Sequence, residues 1–339
     1  MRGNGTPGER CVRLQAPSPA VFCPLLPRIS PHADEVQRCG LHWATRHGLL
    51  ERPGAQAAFA GARFANLMSR AHPTAGIAEV ALATDWLIAI FALDDLLETA
   101  LVAEPDRMRA GIEDLLTRLR ADKAPGSVYF GRPIAASLAD VWRRTTPRVS
   151  DEWRARFVEH IADYLHGTVW ESGNRARNTL PTVAEHLAMR RHSAATEMFF
   201  DLIEPVHGIE LPAGVLADEH FRSLRRHAGT VIGLYNDLIS WRKEMAVGDL
   251  HNIVFIVGRE LGLAPADSIG AAVAEHDKQM AAFLAARDAL ALGPWGADPT
   301  VRTAAADVAH WVRGNLDWSF ESGRYPAGLD VPSPRRPAD

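Results

Sequence analysis

Asn236, Ser240 and Glu244 recur every four residues through the stretch Asn236-Asp237-Leu238-Ile239-Ser240-Trp241-Arg242-Lys243-Glu244. On an α-helix each four-residue step drifts by only about 40°, so an amide oxygen, a hydroxyl and a carboxylate share one face. Three hard oxygen donors with a single negative charge among them read as a Mg²⁺ half-site, because Mg²⁺ completes its octahedron with water and phosphate oxygens rather than with a full protein cage. The partner so implied is a phosphate ester, and Lys243 beside Arg242 suits a diphosphate held by that metal. A solvated polar face would carry the same three residues, so the triad alone decides nothing.

A second cluster adds to it. The run that begins at Ile77 places Val80, Thr84, Leu87, Phe91, Asp94 and Glu98 at steps of four and three, so one helix face is apolar and then ends in the acids Asp94, Asp95 and Glu98. Burying uncompensated carboxylates against Trp86, Ile90, Phe91 and Leu93 costs several kcal/mol each, so the acids face a metal, a basic partner or water.

With both motifs in one chain, Asp-Asp-x-x-Glu and Asn-Asp-x-x-Ser-x-x-Lys-Glu, the sequence resembles the class I terpene synthases of bacterial type. The likeness extends from Phe22-Cys23-Pro24-Leu25 and Arg28-Ile29-Ser30-Pro31-His32, through Trp43, to Trp318 and the pair Arg324-Tyr325. The resemblance implies an all-α, single-domain helical bundle enclosing an active-site cavity, with three Mg²⁺ held by Asp94, Asn236, Ser240 and Glu244; Asp95 and Glu98 complete the acidic motif and their contact with metal is left open. It implies that Arg190, 46 residues before Asn236, senses the diphosphate together with Lys243, Arg324 and Tyr325. Phe91, Phe199, Trp311 and Trp318 resemble cavity walls that would stabilise carbocations. Ala194 stands where many relatives have glycine, and it keeps the backbone carbonyl thought to help trigger ionisation. The activity implied is Mg²⁺-dependent ionisation and cyclisation of a prenyl diphosphate, farnesyl diphosphate by family frequency, with geranyl and geranylgeranyl diphosphates as alternatives.

The chain has 339 residues, 47% of them hydrophobic and 7% aromatic, with 37 basic and 41 acidic residues for a net charge of −4. That offers no basic surplus for nucleic acid. The longest apolar run, around Trp86 to Leu93, is far short of the ~20 residues that span a bilayer, and the first residues lack the apolar core of a signal peptide, so a cytoplasmic protein is expected. Cys11, Cys23 and Cys39 form no disulfide framework. Cys39 with His42 and His47 lacks the further ligands of a tetrahedral zinc set.

Helical periodicity prevails between residues 21 and 326, the expected catalytic domain, with tails expected to be disordered at 1–20 and 327–339. Breaks at Pro53-Gly54, Pro73, Pro105, Pro125-Gly126, Pro147, Pro181, Pro205, Pro212 and Gly293-Pro294 divide this domain into roughly ten helices. A homodimer is the one protein partner carried as an expectation. Three competitors remain: a chain-elongating prenyltransferase, which normally has a second aspartate-rich motif in place of the triad; a di-iron bundle, for which only Glu204-Pro205-Val206-His207 has the Glu-x-x-His spacing; and a helical interaction module without activity.

Overall fold

The computed structural model describes residues 20–123, 128–325 and 334–335. They form α1 (Ala33–Arg46), α2 (Ala55–Ala62), α3 (Phe64–Ala71), α4 (Ile77–Ala103), α5 (Pro105–Arg120), α6 (Arg132–Thr145), α7 (Asp151–Ala176), α8 (Val183–Ser193), α9 (Thr196–Asp201), α10 (Ile203–His207), α11 (Ala213–Ala217), α12 (Glu219–Ala246), α13 (Ile253–Leu261), α14 (Pro265–Leu292) and α15 (Pro299–Glu321). Ten of these are nine residues or longer, which is the expected bundle. The remaining five are short pieces that prolines and left-handed residues cut from their neighbours. The expected tails lie almost wholly outside the described residues, as does the break at Pro125-Gly126. Within the second tail, β2 (Pro334–Arg335) runs parallel to β1 (Val21–Phe22), so the two ends of the chain meet.

Helix starts follow local chemistry. Ser150 accepts from the Trp153 amide at the head of α7, Thr182 and Glu185 form a capping box on α8, and Asp218, Asn252 and Asp298 cap α12, α13 and α15. Pro105, Pro265 and Pro299 open α5, α14 and α15, where a missing N–H costs nothing. Pro205 does not end a helix as the breaks predict. It is the third residue of α10, still within the turn whose amides have no helical partner.

Two helices organise the bundle. α4 packs against α1, α3, α5, α6 and α7, and α12 packs against α8, α13, α14 and α15. From Val80 to Ile90, α4 buries almost every side chain, as a helix surrounded on all sides must. No helix of the described residues is long and apolar enough to cross a membrane. Aromatic contacts lock α7 to α4 and α6: Phe157 lies 5.1 Å from Trp86, edge-on, and 6.4 Å from Trp142, stacked. Such pairs contribute ~0.5–1.5 kcal/mol beyond their buried area. Gly314 lets α15 lie directly on α3, since a Cβ there would come within 2.7 Å of the Arg70 Cβ.

Candidate active site

The acidic motif begins two-thirds of the way along α4, which continues to Ala103. Asp94 is half-buried and accepts from the Tyr164 hydroxyl of α7 at 2.7 Å, while Asp95 and Glu98 are exposed. Burial, reinforced by the neighbouring carboxylates of Glu98, Asp95 and Glu171, pushes the Asp94 carboxyl up to about 7. Burial also raises Glu98, against the pull of Arg175, Lys243 and Arg324.

The triad lies two-thirds of the way along α12. Asn236 accepts from Arg190 Nη2 at 2.9 Å through its Oδ1 and donates to the Tyr325 hydroxyl at 2.8 Å through its Nδ2. Ser240 donates to the Asn236 backbone carbonyl at 2.7 Å, which leaves the lone pairs of its oxygen available. Glu244 accepts from Asn252 Nδ2 at 2.9 Å. Burial with the charge of Asp237 pushes the Glu244 carboxyl up to about 7.

Arg190 is held across α12 by a carboxylate that sequence reading did not single out. Its Nε donates to Asp237 Oδ1 at 2.9 Å, and the other Asp237 oxygen lies 2.8 Å from His186 Nε2 and accepts the Ile253 amide at 3.1 Å. Burial alone would raise Asp237; the Arg190 guanidinium and His186 outweigh it and hold the carboxyl below the ordinary range. Gly233 makes the room, because a Cβ there would approach Arg190 Cγ to 2.7 Å. Arg190 Nη1 also donates to Ser193 at 3.3 Å. Immediately beyond, α8 stops at Ala194, and it is Ala195, with φ +57°, that turns the chain into α9. A left-handed alanine costs ~1–2 kcal/mol, a local strain placed five residues from Arg190 and retained by the packing around it.

The closing pair reaches both arms. Arg324 donates to Asp95 at 3.4 Å and stacks its guanidinium 4.4 Å from the Phe91 ring centroid, while Tyr325 receives the Asn236 amide. Two consecutive residues thus bridge the acidic motif and the triad. Lys243 is exposed and acts on Glu98 through charge rather than contact. α7 supplies groups that no motif announces. Tyr164 touches Asp94, Glu171 acts on both Asp94 and Arg190, and Arg175 pairs with Glu171 at 3.4 Å and Asp249 at 2.9 Å. Their spacing along one helix face was the signal available for them.

The predicted aromatics form two groups. Phe91 and Trp318 lie 6.4 Å apart, with Trp318 fully buried, its indole N–H donating to the Ala62 carbonyl and its ring edge-on to Tyr325. Trp311 sits 5.4 Å from Phe199, and its indole N–H is buried without a partner among the described residues. A cavity of about 670 Å³ lies between residues 24–28, α14 and α15, and none of the predicted site residues lines it. The di-iron reading fails on contacts: Glu204 pairs with Arg156, whereas His207 joins Asp307. Cys39 is free and exposed, and His47 lies 3.7 Å from Asp140.

The oxygen donors fit a hard divalent cation, since two raised carboxyls, Asp94 and Glu244, exchange their protons readily for metal near neutral pH. In the metal-free protein both keep protons that the unfolded chain would have lost by about pH 4, so their contribution to stability falls as pH rises from about 4 to about 7. A cation displaces those protons, and its hold therefore tightens with pH. The rise in melting temperature given by Mg²⁺ alone should accordingly be larger at about pH 8 than at about pH 6; an equal rise at both would remove these carboxylates from the metal site.

Residues 85–282 match the family model of terpene synthase family 2, C-terminal metal binding. The (+)-T-muurolol synthase ((2E,6E)-farnesyl diphosphate cyclizing) of Roseiflexus castenholzii is 32% identical over 88% of this chain and 90% of its own length. Pristinol synthase of Streptomyces pristinaespiralis is 30% identical over 94% and 86%. The crystal structure of germacradien-4-ol synthase from Streptomyces citricolor superposes with a TM-score of 0.77 at 27% identity, covering 88% of this chain and 97% of that one. Fold, motifs and relatives agree, and the chain belongs to the bacterial-type class I terpene synthases.

Proposed function

We propose that the protein ionises farnesyl diphosphate with Mg²⁺ and cyclises the resulting cation to a sesquiterpene, releasing pyrophosphate. The observation that carries this reading is the bridge made by Arg324 and Tyr325 between Asp95 and Asn236, which puts diphosphate-binding groups between the two oxygen clusters. The Roseiflexus castenholzii relative, named as cyclising (2E,6E)-farnesyl diphosphate, favours that chain length. Asp94, Asn236, Ser240 and Glu244 would hold the metal, expected as three ions. Bound Mg²⁺ would supply Lewis acidity and a template for the departing diphosphate.

The protein's own groups do the rest. Arg190, already oriented by Asp237, donates to diphosphate oxygens, and Lys243 adds positive charge at the rim. Arg324 turns from Asp95 to the diphosphate and uncovers the face of Phe91. Phe91, Trp318, Phe199 and Trp311 then present aromatic faces to the cation, each worth ~2 kcal/mol or more once desolvated. Ala194 caps the end of α8, and its carbonyl would assist ionisation of the bound substrate. Closing over the substrate keeps water from the cation.

Incubation with geranyl, farnesyl and geranylgeranyl diphosphates, following pyrophosphate release and identifying volatiles by mass spectrometry, tests the reading. The expected outcome is Mg²⁺-dependent turnover with farnesyl diphosphate and a cyclic C15 product; no pyrophosphate release from any of the three overturns it. In the same assay, leucine at Phe91, Phe199, Trp311 or Trp318 should alter the product mixture more than the release rate. Losing ~2 kcal/mol from one carbocation redirects flux roughly 30-fold, while the groups that drive C–O cleavage remain. An identical mixture from all four variants would make these rings ordinary core.

A further inference from the structure

About 20 Å along α15 from the Arg324-Tyr325 end, at ~1.5 Å per residue, a second polar cluster is buried in the bundle. Asp307 Oδ2 lies 2.7 Å from His72 Nδ1 and 2.6 Å from His207 Nε2, and Asp307 Oδ1 lies 3.2 Å from His310 Nδ1. His72 follows α3, His207 ends α10, and Asp307 and His310 share one turn of α15. His72 is 0% exposed and Asp307 2%. One ligand atom from each of His72, His207 and Asp307 lies within 4.8 Å of the others.

The charge balance here is unlike that elsewhere in the core. The other buried carboxylates of the described residues each pair with arginine: Asp85 and Asp140 with Arg144, Glu197 and Asp201 with Arg225, Glu204 with Arg156, Asp237 with Arg190. Asp307 has only imidazoles. A buried carboxylate without a cation is costly. Two imidazoles and one carboxylate converging from three elements are also a ligand set that suits zinc and its neighbours far better than Mg²⁺.

We propose that His72, His207 and Asp307 bind one late first-row divalent cation, with Zn²⁺ as the representative and water completing its four ligands, at a structural site separate from the Mg²⁺ motifs; His310 steadies the other Asp307 oxygen. Tetrahedral Zn²⁺ places its ligand atoms ~3.3 Å apart, so the two shorter contacts would open by about 0.6 Å as the ion takes the place of the bridging hydrogens. The ion would staple the turn after α3 and the end of α10 to α15. His310 also lines the cavity of about 670 Å³, which gives an ion a way in.

The test uses full-length, tag-free protein, loaded with Zn²⁺ in the presence of excess Mg²⁺, desalted and measured by elemental analysis. About one zinc per chain is expected, with a higher melting temperature, since the ion binds only the folded state. Asp307→Asn and His207→Gln should each reduce the zinc to background, and Co²⁺ should give tetrahedral visible absorption in the wild type alone. His207 is only half-buried, so His207→Gln serves if Asp307→Asn fails to fold. Wild-type protein that retains less than about a tenth of a zinc per chain, with no change in melting temperature, overturns the site and assigns the compensating charge to a protonated imidazole. Zinc retained at full stoichiometry by folded variants overturns it equally, because the ion would then lie elsewhere.

Discussion

Alanine at Asn236 or at Glu244 is expected to cut turnover by about 10²-fold or more, the scale for removing a preorganised electrostatic contact. Each change removes an oxygen donor from the same face of α12, and neither removes core volume. Asn236 also ties Arg190 to Tyr325, so its loss frees both diphosphate groups at once. The cost in folding is smaller: two hydrogen bonds at ~1 kcal/mol each for Asn236, and for Glu244 a carboxyl that burial already disfavours. Steady-state rates against Mg²⁺ concentration, with melting curves alongside, separate the two effects. Near-wild-type turnover in both variants with unchanged Mg²⁺ dependence would sink the assignment of the triad.

Arg190→Ala should be as damaging to the rate and worse for the fold. The guanidinium balances Asp237, and leaving a buried carboxylate unpaired costs ~3–5 kcal/mol, softened here by His186 and the Ile253 amide. Pyrophosphate with Mg²⁺ should raise the melting temperature of the wild type by mass action and raise that of the variant much less. A structural arginine would lower the starting temperature and leave the ligand-induced rise intact. That second outcome would mean that the spacing to Asn236 is coincidental.

What was legible in the sequence was local. Asn236, Ser240 and Glu244 declare a shared face because the helix repeat relates them, and Asp94 and Glu98 do so at the end of an apolar stripe. Helix number followed from prolines and glycines for the same reason, with Pro205 misread because it fits the first turn of a short helix. What escaped notice depends on chain segments that meet only in the folded bundle. Asp237 looked like a spare letter of its motif until His186, 51 residues away, and Ile253 were seen to hold it. Tyr164, Glu171 and Arg175 belong to a helix whose outward periodicity is unremarkable. The Asp307 cluster draws its imidazoles from positions 72, 207 and 310, which no spacing rule connects.

The bridge made by Arg324 and Tyr325 is held by protein contacts alone. Two net contacts of ~1 kcal/mol each leave the open form at a few per cent of the population. Substrate that enters only the open form meets about one molecule in thirty, so its apparent affinity is weaker by the same factor than the intrinsic affinity of the opened site. The turn that follows α15 therefore exchanges tight capture for a site that stays shut against water between turnovers.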